Sequence, residues 1–195
     1  MNIVTKSVAV AGMSCLLLSS CKKDKDQVAT PQNPNENETL TTLMVVAQDT
    51  VTKEMLTFQI KDLDGDGGLP PSIKDTLRFN ANSVYDVEIR LLDETKTPAI
   101  ITSDNVKVEA DQHQFFFSAL GNTLPSIAFE YLDKDKNGVP LGLKTRWKTG
   151  IPNKDKKGLL KIILKHQPDE KPKSGNGDIT KGSTDIEVYF PIIIK

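Results

Sequence analysis

The chain has 195 residues, of which 37% are hydrophobic and 26% charged, and its formal net charge is -1. This length is enough for one well-packed domain with a short appendage. Acidic and basic residues are interleaved along the chain, so there is no basic patch of the kind that binds nucleic acid, and the composition argues against a DNA or RNA partner.

The first twenty residues have the composition of an export signal. Lys6 supplies positive charge ahead of residues 7–20, which are small or apolar throughout. That stretch suits a signal peptide and is shorter than the roughly 20 apolar residues of a membrane span. The segment "LSSC", which ends at Cys21, resembles the bacterial lipobox, in which a cysteine is joined to diacylglycerol before cleavage. Cys15 follows a less suitable glycine and methionine, so Cys21 is the predicted lipid attachment site.

Residues 21–39 are predicted to be a lipidated N-terminus followed by a disordered linker. Their apolar content is too low to offset the entropy lost on ordering. The charged run after Cys21 resembles the surface-export signals of Bacteroidota lipoproteins, although a plain soluble spacer explains it equally well. We therefore expect a lipid-anchored protein of the bacterial outer membrane, on the periplasmic face or at the cell surface. Without Cys15 and with Cys21 lipidated, no thiol remains for a disulfide.

From residue 40 to residue 195 the apolar side chains recur with a period of two, as in half-buried strands. No stretch has a convincing helical period, and residues 103–112 also alternate. The sequence therefore predicts an all-β domain, an immunoglobulin-like Greek-key sandwich of antiparallel strands. The candidate strands are 41–47, 55–61, 75–80, 84–91, 104–109, 113–119, 125–132, 141–148, 160–166 and 186–194.

One acidic loop follows the second candidate strand and resembles the first half of a calcium-binding loop. Its carboxylates belong to Asp62, Asp64 and Asp66, and glycines follow. Calcium prefers six to eight oxygen ligands, which alternate side chains in a tight turn can supply. Ile73 stands where an EF-hand would have its bidentate glutamate. The alternative is a turn in which the aspartates accept hydrogen bonds from backbone amides.

A second acidic loop repeats this pattern more weakly. Asp133, Asp135 and Asn137 are its candidate ligands, but lysines between them offset the negative charge. Asn137 and the glycine after it are also typical of a hairpin turn. The calcium interpretation and the hairpin interpretation both remain open for this loop.

Both histidines fall near the ends of apolar strand faces. His113 has the parity of the phenylalanines after it, and His166 has the parity of the leucines and isoleucine before it. Together they could ligate a transition metal, or they could be hydrogen-bonded residues at the rim of the core. The segment 168–184 joins the last two strands and is either a binding loop or, as we expect, a mobile one.

Several segments together resemble a group of small lipoproteins of Bacteroidota. They are "FQIKDLDGDGG", "DQHQFFFSALG", "YLDKDKNGVPLGLKTRWKTG", "LLKIILKHQPD" and "GDITKGSTDIEVYFPI". Members of this group are sometimes labelled as having a type 1 periplasmic binding fold, which would be an α/β domain. The strand periodicity contradicts that label. The resemblance implies an envelope location and a β-domain, and it implies no particular activity.

The sequence favours a non-catalytic binding or interaction module, stabilised by calcium if the acidic loops bind it. Its partners would be the lipid bilayer, through Cys21, and an envelope protein or glycan. The motifs of α/β-hydrolases, P-loop enzymes and dinucleotide-binding enzymes are missing from the sequence. The alternative is an envelope hydrolase whose catalytic residues lie far apart in the sequence.

Replacement of Cys21 with alanine tests the predicted anchor. We expect Cys21→Ala to abolish incorporation of a labelled fatty acid and to leave unprocessed precursor, because the thiol is the acceptor of the lipid. Cys15→Ala is the matched control and should be labelled and processed normally. The reverse result would move the cleavage site to Cys15.

Overall fold

A computed structural model describes residues 39–64, 69–121, 126–153 and 158–195. All of these belong to one compact unit, Pro34–Lys195. The predicted signal peptide, Cys21 and nearly all of the predicted linker lie outside the described residues, as does Asp66.

The described part of the chain forms strands and one short helix. In chain order these are β1 (Thr42–Asp49), β2 (Met55–Lys61), β3 (Ile73–Lys74), β4 (Leu77–Phe79), β5 (Val84–Asp93), β6 (Ile100–Ile101), α1 (Ser103–Val108), β7 (His113–Leu120), β8 (Ile127–Tyr131), β9 (Lys144–Thr149), β10 (Gly158–His166) and β11 (Ser183–Ile194). The larger sheet has the order β3-β2-β1-β5-β9-β8, with β6 on β5, and the smaller sheet has the order β4-β11-β10-β7. The predicted all-β sandwich is confirmed.

Nearly all neighbouring strands in the two sheets are antiparallel; β4 and β11 form a parallel pair. The alternation read from the sequence corresponds to the observed burial. On β5, the side chains of Tyr85, Val87, Ile89 and Leu91 are all at most 2% exposed, while the residues between them are half-buried or exposed. On β10 and β11 the fully buried side chains also alternate, namely Leu160, Ile162 and Leu164 on β10 and Phe190, Ile192 and Ile194 on β11. Burial of the inward face therefore accounts for the register of these strands.

Trp147, which the sequence placed in the core, lies at the centre of the contact between the two sheets. Its ring makes edge-to-face contacts with Phe79 and Phe117 of the smaller sheet, at centroid distances of 5.8 Å each. Phe129 of its own sheet lies 5.4 Å away. The buried indole N–H donates to Thr145 Oγ1 at 2.8 Å, so this polar group of the core is hydrogen-bonded.

The predicted strand at 104–109 is wrong, because this segment contains the helix α1. A strand would place Val106 and Val108 on the same face, but Val106 is fully buried and Val108 is 84% exposed. A helix turns these two side chains about 200° apart, which explains the difference. Asp104 in the first turn and Lys107 in the last turn have the charges that suit a helix dipole.

Two other predicted strands are shorter than the sequence suggested. The segment 75–80 contains only β4 as a strand, and β9 begins at Lys144 rather than near residue 141. Leu141 and Leu143 are nevertheless buried in the core. Gly142 between them has a φ of +93°, which no extended strand contains, so the alternation of buried leucines here comes from an irregular segment.

The strand pairings bring several connections together at one end of the sandwich. In the larger sheet Thr42, at the start of β1, is opposite Lys61 and Leu92, near the ends of β2 and β5. In the smaller sheet His166, at the end of β10, is opposite both His113 and Ser183, which begin β7 and β11. We call this the loop end, formed by residues 62–64, 69–72, 94–112, 132–143 and 167–182. The histidines, Asp62, Asp64 and the second acidic loop therefore lie at the same end.

Replacement of Gly142 with alanine should destabilise the domain more than the same change at Gly138. Both glycines have positive φ, so each alanine costs about 1–2 kcal/mol in backbone strain. A Cβ at Gly142 would lie 2.8 Å from the Cβ of Phe115, whereas a Cβ at Gly138 would meet nothing within 4 Å. Overpacking at Gly142 should add about 1–3 kcal/mol. Urea unfolding of residues 22–195 measures the difference; equal losses would contradict the described packing.

Candidate functional site

The two histidines of the chain stack on each other at the loop end. His113 is the first residue of β7 and His166 is the last residue of β10, and they are paired across the two strands. Their ring centroids lie 4.5 Å apart and their planes are 7° from parallel. His113 is 1% exposed, and His166 is half-buried. The sequence predicted both residues near the ends of apolar faces, and the structure places them in contact.

A β-bulge on β11 adds an aspartate to this pair. Leu164 of β10 is opposite Ile186, and the next residue, Lys165, is opposite Thr184, so Asp185 is the extra residue of the bulge. Such a bulge turns a side chain away from the direction that simple alternation would give it. The carboxylate of Asp185 is 5% exposed, and its Oδ2 lies 3.5 Å from Nε2 of His113.

Glu109, at the end of α1, approaches His113 from the other side. Its backbone carbonyl lies 3.1 Å from Nδ1 of His113, and its Oε2 lies 3.9 Å from the same nitrogen. One carboxylate oxygen of Glu109 and one ring nitrogen from each histidine all lie within 4.8 Å of one another. We call Glu109, His113, His166 and Asp185 the histidine cluster.

Burial lowers the pKa of His113, because the low-dielectric surroundings disfavour the charged imidazolium. The carbonyl of Glu109 acts in the opposite direction, and the neighbouring His166 and Lys171 lower the pKa further. The charged form of this ring is therefore less favoured than that of a free histidine. A neutral imidazole has one nitrogen lone pair that can accept a proton or bind a metal ion.

Lys171 is buried beside the histidine cluster and connects three segments of the loop end. Its Nζ donates to the carbonyls of Ala110 at 2.7 Å and His113 at 2.8 Å, and it lies 3.1 Å from Oδ2 of Asp135. The side chains of Lys171 and Asp135 are 1% and 0% exposed. Burial lowers the pKa of Lys171, and the carboxylate of Asp135 opposes this change. Each of the three N–H groups of the ammonium thus has an oxygen within reach.

The connection between β10 and β11 makes several hydrogen bonds that involve buried side chains, and its predicted mobility stays a prediction. The buried amide of Gln167 donates to the carbonyls of Asp178 and Lys181, and the buried Gln114 donates to that of Asn176. A Cβ on Gly177 would lie 1.9 Å from the side chain of Gln114. These contacts join residues that are far apart in sequence, so no local pattern indicates them.

In the second acidic loop the carboxylates bind backbone amides. Asp133 accepts hydrogen bonds from Gly142 N at 2.8 Å and Lys144 N at 3.0 Å. Oδ1 of Asp135 accepts from the amides of Asn137 and Val139. These bonds, together with the ion pair of Asp135 with Lys171, favour the turn interpretation. Calcium at Asp133, Asp135 and Asn137 stays a prediction and would have to displace them.

In the first acidic loop the structure describes Asp62 and Asp64, whereas Asp66 lies outside the described residues. Asp64 accepts a hydrogen bond from the amide of Leu69 at 2.7 Å. This bond lowers the pKa of Asp64, and a further hydrogen bond with Asp62 lowers it too. Asp64 therefore accepts a backbone hydrogen bond within the turn, and calcium binding by Asp62, Asp64 and Asp66 stays a prediction.

The sequence interpretation missed three residues of this region, namely Glu109, Lys171 and Asp185. Glu109 stands four residues before His113, a helical spacing, but the sequence predicts residues 104–109, which end at Glu109, as a strand. Asp185 directly precedes the apolar alternation of β11, and nothing in the local pattern indicates a bulge. Lys171 sits among charged and proline residues typical of an exposed loop.

Replacement of Lys171 with methionine should strongly destabilise the domain. The change leaves the carboxylate of Asp135 buried without its cation, and the loss of one partner of a buried pair costs about 3–5 kcal/mol. Lys173→Met is the matched control, because Lys173 is exposed, and we expect a change within about 0.5 kcal/mol. Chemical denaturation of both variants gives the comparison. A Lys171→Met variant as stable as the control would contradict the role assigned to this ion pair.

Comparison of the chain with protein-family models, with curated proteins and with solved structures found no match. In the part of the chain that the structure describes, none of the helices is long and apolar enough to span a membrane.

Proposed function

We propose that this protein is a lipid-anchored, non-catalytic binding module of the cell envelope and that the loop end is its binding surface. In this proposal Cys21 carries the lipid, residues 22–39 form the linker, and the β-sandwich engages an envelope protein or a glycan. The export signal and lipobox-like "LSSC" support the location, as does the resemblance to small lipoproteins of Bacteroidota.

One observation supports the loop end as the proposed binding surface. Lys171 joins α1, the start of β7 and the acidic loop at 133–140 through three contacts of its ammonium group. The amides of Gln114 and Gln167 hold the long connection that follows. Binding residues in β-sandwiches are commonly found on loops that a rigid scaffold positions, because an ordered surface loses less entropy on binding. The buried polar contacts give these long connections that order.

The hydrolase alternative gains candidates from the structure, because His113, His166 and Asp185 lie together. A general base must lie within hydrogen-bond reach of a substrate proton. The side chain of His113 is only 2% exposed, and both of its ring nitrogens face oxygens of Glu109 and Asp185. This arrangement supports a structural or ligand-holding role for His113 better than a catalytic one.

Site-specific photo-crosslinking in intact cells tests the proposed binding surface. Val108 on the loop end and Val51 in the β1–β2 turn at the opposite end are both 84% exposed. A photoreactive phenylalanine analogue at either position should leave the fold intact. We expect a defined crosslinked adduct from position 108 and none from position 51, and mass spectrometry of the adduct identifies the partner. Adducts from position 51 alone would place the binding surface at the other end.

A further inference from the structure

We propose that Glu109, His113 and His166 form a binding site for one divalent transition-metal ion of the Zn²⁺ type, and that Asp185 is the positioning residue that orients His113. This inference does not rest on the proposed binding function. It follows from the donor groups of the histidine cluster, from the contacts of His113 and from the charge around it.

The donor groups are those that zinc uses. Two imidazoles and a carboxylate are a known set of protein ligands for zinc in sites that keep a fourth position open, whereas calcium and magnesium prefer oxygen alone. The whole chain contains two histidines, and both are in this cluster. Beyond Cys21 the sequence contains no cysteine, so a zinc site with an imidazole ligand in residues 22–195 would have to use at least one of these two histidines.

The contacts of His113 favour a cation at this place. Nδ1 and Nε2 of His113 each face an oxygen, the carbonyl of Glu109 at 3.1 Å and the carboxylate of Asp185 at 3.5 Å. A divalent cation bound to a nitrogen of this ring would therefore have negatively polarised oxygens around it, and their attraction would favour its binding.

The positions of the two carboxylates decide which nitrogen binds the ion. If Nε2 donates its proton to Asp185, Nδ1 faces Glu109, whose Oε2 is 3.9 Å away. A histidine that binds a metal commonly donates its other ring proton to a carboxylate, which fixes the tautomer and the ring orientation. Asp185 can take this second role because the bulge of β11 turns it inward.

The ligand atoms can reach one ion through movement of the side chains of Glu109 and His166. The rings of His113 and His166 are stacked with their planes 7° apart, whereas a bound ion lies near the plane of each imidazole, so His166 must turn out of the stack. Two atoms bound to one zinc ion at about 2.1 Å lie about 3.4 Å apart in tetrahedral geometry. The atoms of Glu109, His113 and His166 now lie within 4.8 Å of one another, so they must approach by up to about 1.4 Å. The carboxylate of Glu109 is 48% exposed and His166 is half-buried, so both can adjust while the buried His113 stays in place.

The charge around the histidine cluster suits a divalent cation. Glu109 and Asp185 contribute two carboxylates, and the histidines are the only other titratable members of the cluster. The buried cation Lys171 contacts the backbone of His113, and its charge is paired with Asp135 at 3.1 Å. The site thus offers two negative groups to the ion, which a metal with a charge of +2 would neutralise.

Titration calorimetry with ZnCl₂ tests the proposal on residues 22–195, which include the whole compact unit Pro34–Lys195. We expect one Zn²⁺ per chain, with Ca²⁺ and Mg²⁺ unable to compete. His166→Gln should weaken binding at least tenfold, and Asp185→Asn about 10–100-fold through the orientation of His113. Co²⁺ as a spectroscopic probe should show visible absorption bands that His166→Gln removes.

Two controls keep the test specific. Glu109→Gln changes an exposed ligand and should weaken Zn²⁺ binding with little effect on unfolding, whereas Glu54→Gln at the opposite end should leave the affinity within twofold. Urea unfolding verifies that each variant is folded. Absence of Zn²⁺ binding at 100-fold molar excess would overturn the proposal, as would equal affinities of the wild type and His166→Gln. An unchanged affinity of Asp185→Asn would overturn the positioning role.

Discussion

The buried ammonium of Lys171 is the constraint on which the loop end depends. A lysine taken out of water must have its charge balanced and its three N–H groups matched with acceptors. Asp135 balances the charge, and the carbonyls of Ala110 and His113 are the remaining acceptors. Because these groups come from different segments, the requirement fixes the segments relative to one another and holds the backbone of His113 in place.

The apolar core continues directly into the histidine cluster at the loop end. Along β7 and β10 the inward positions are occupied by phenylalanine, leucine and isoleucine until the last position, where His113 and His166 take their place. The side chains there still pack inward, but they bring nitrogen atoms to the edge of the core. The bulge at Asp185 then supplies a carboxylate to the same edge. Hydrophobic burial sets the strand register, and the register in turn fixes the positions of these polar groups.

The sequence predicted the features that produce a local repeat of apolar residues. Alternation identified β5, β10 and β11 and with them the all-β sandwich, and parity placed Trp147 in the core and both histidines at its edge. It failed at α1, because a six-residue helix is too short to show a 3.6-residue period and its valines mimic alternation. It could not find the pairing of Lys171 with Asp135 or the approach of Asp185 to His113, which join segments 36 or more residues apart. Such contacts depend on the fold as a whole.

The direction of β1 has a mechanical consequence. The chain enters β1 at the loop end, where Thr41 donates to the carbonyl of Leu92, while Lys195 pairs with Phe79 at the opposite end. A molecule held on the loop end would sit beside the residue at which an N-terminal attachment leaves the domain. Tension between that molecule and the N-terminal attachment would act across the loop end. It would not act along β1, whose eight residues span roughly 26 Å. The strands would then bear little of that load.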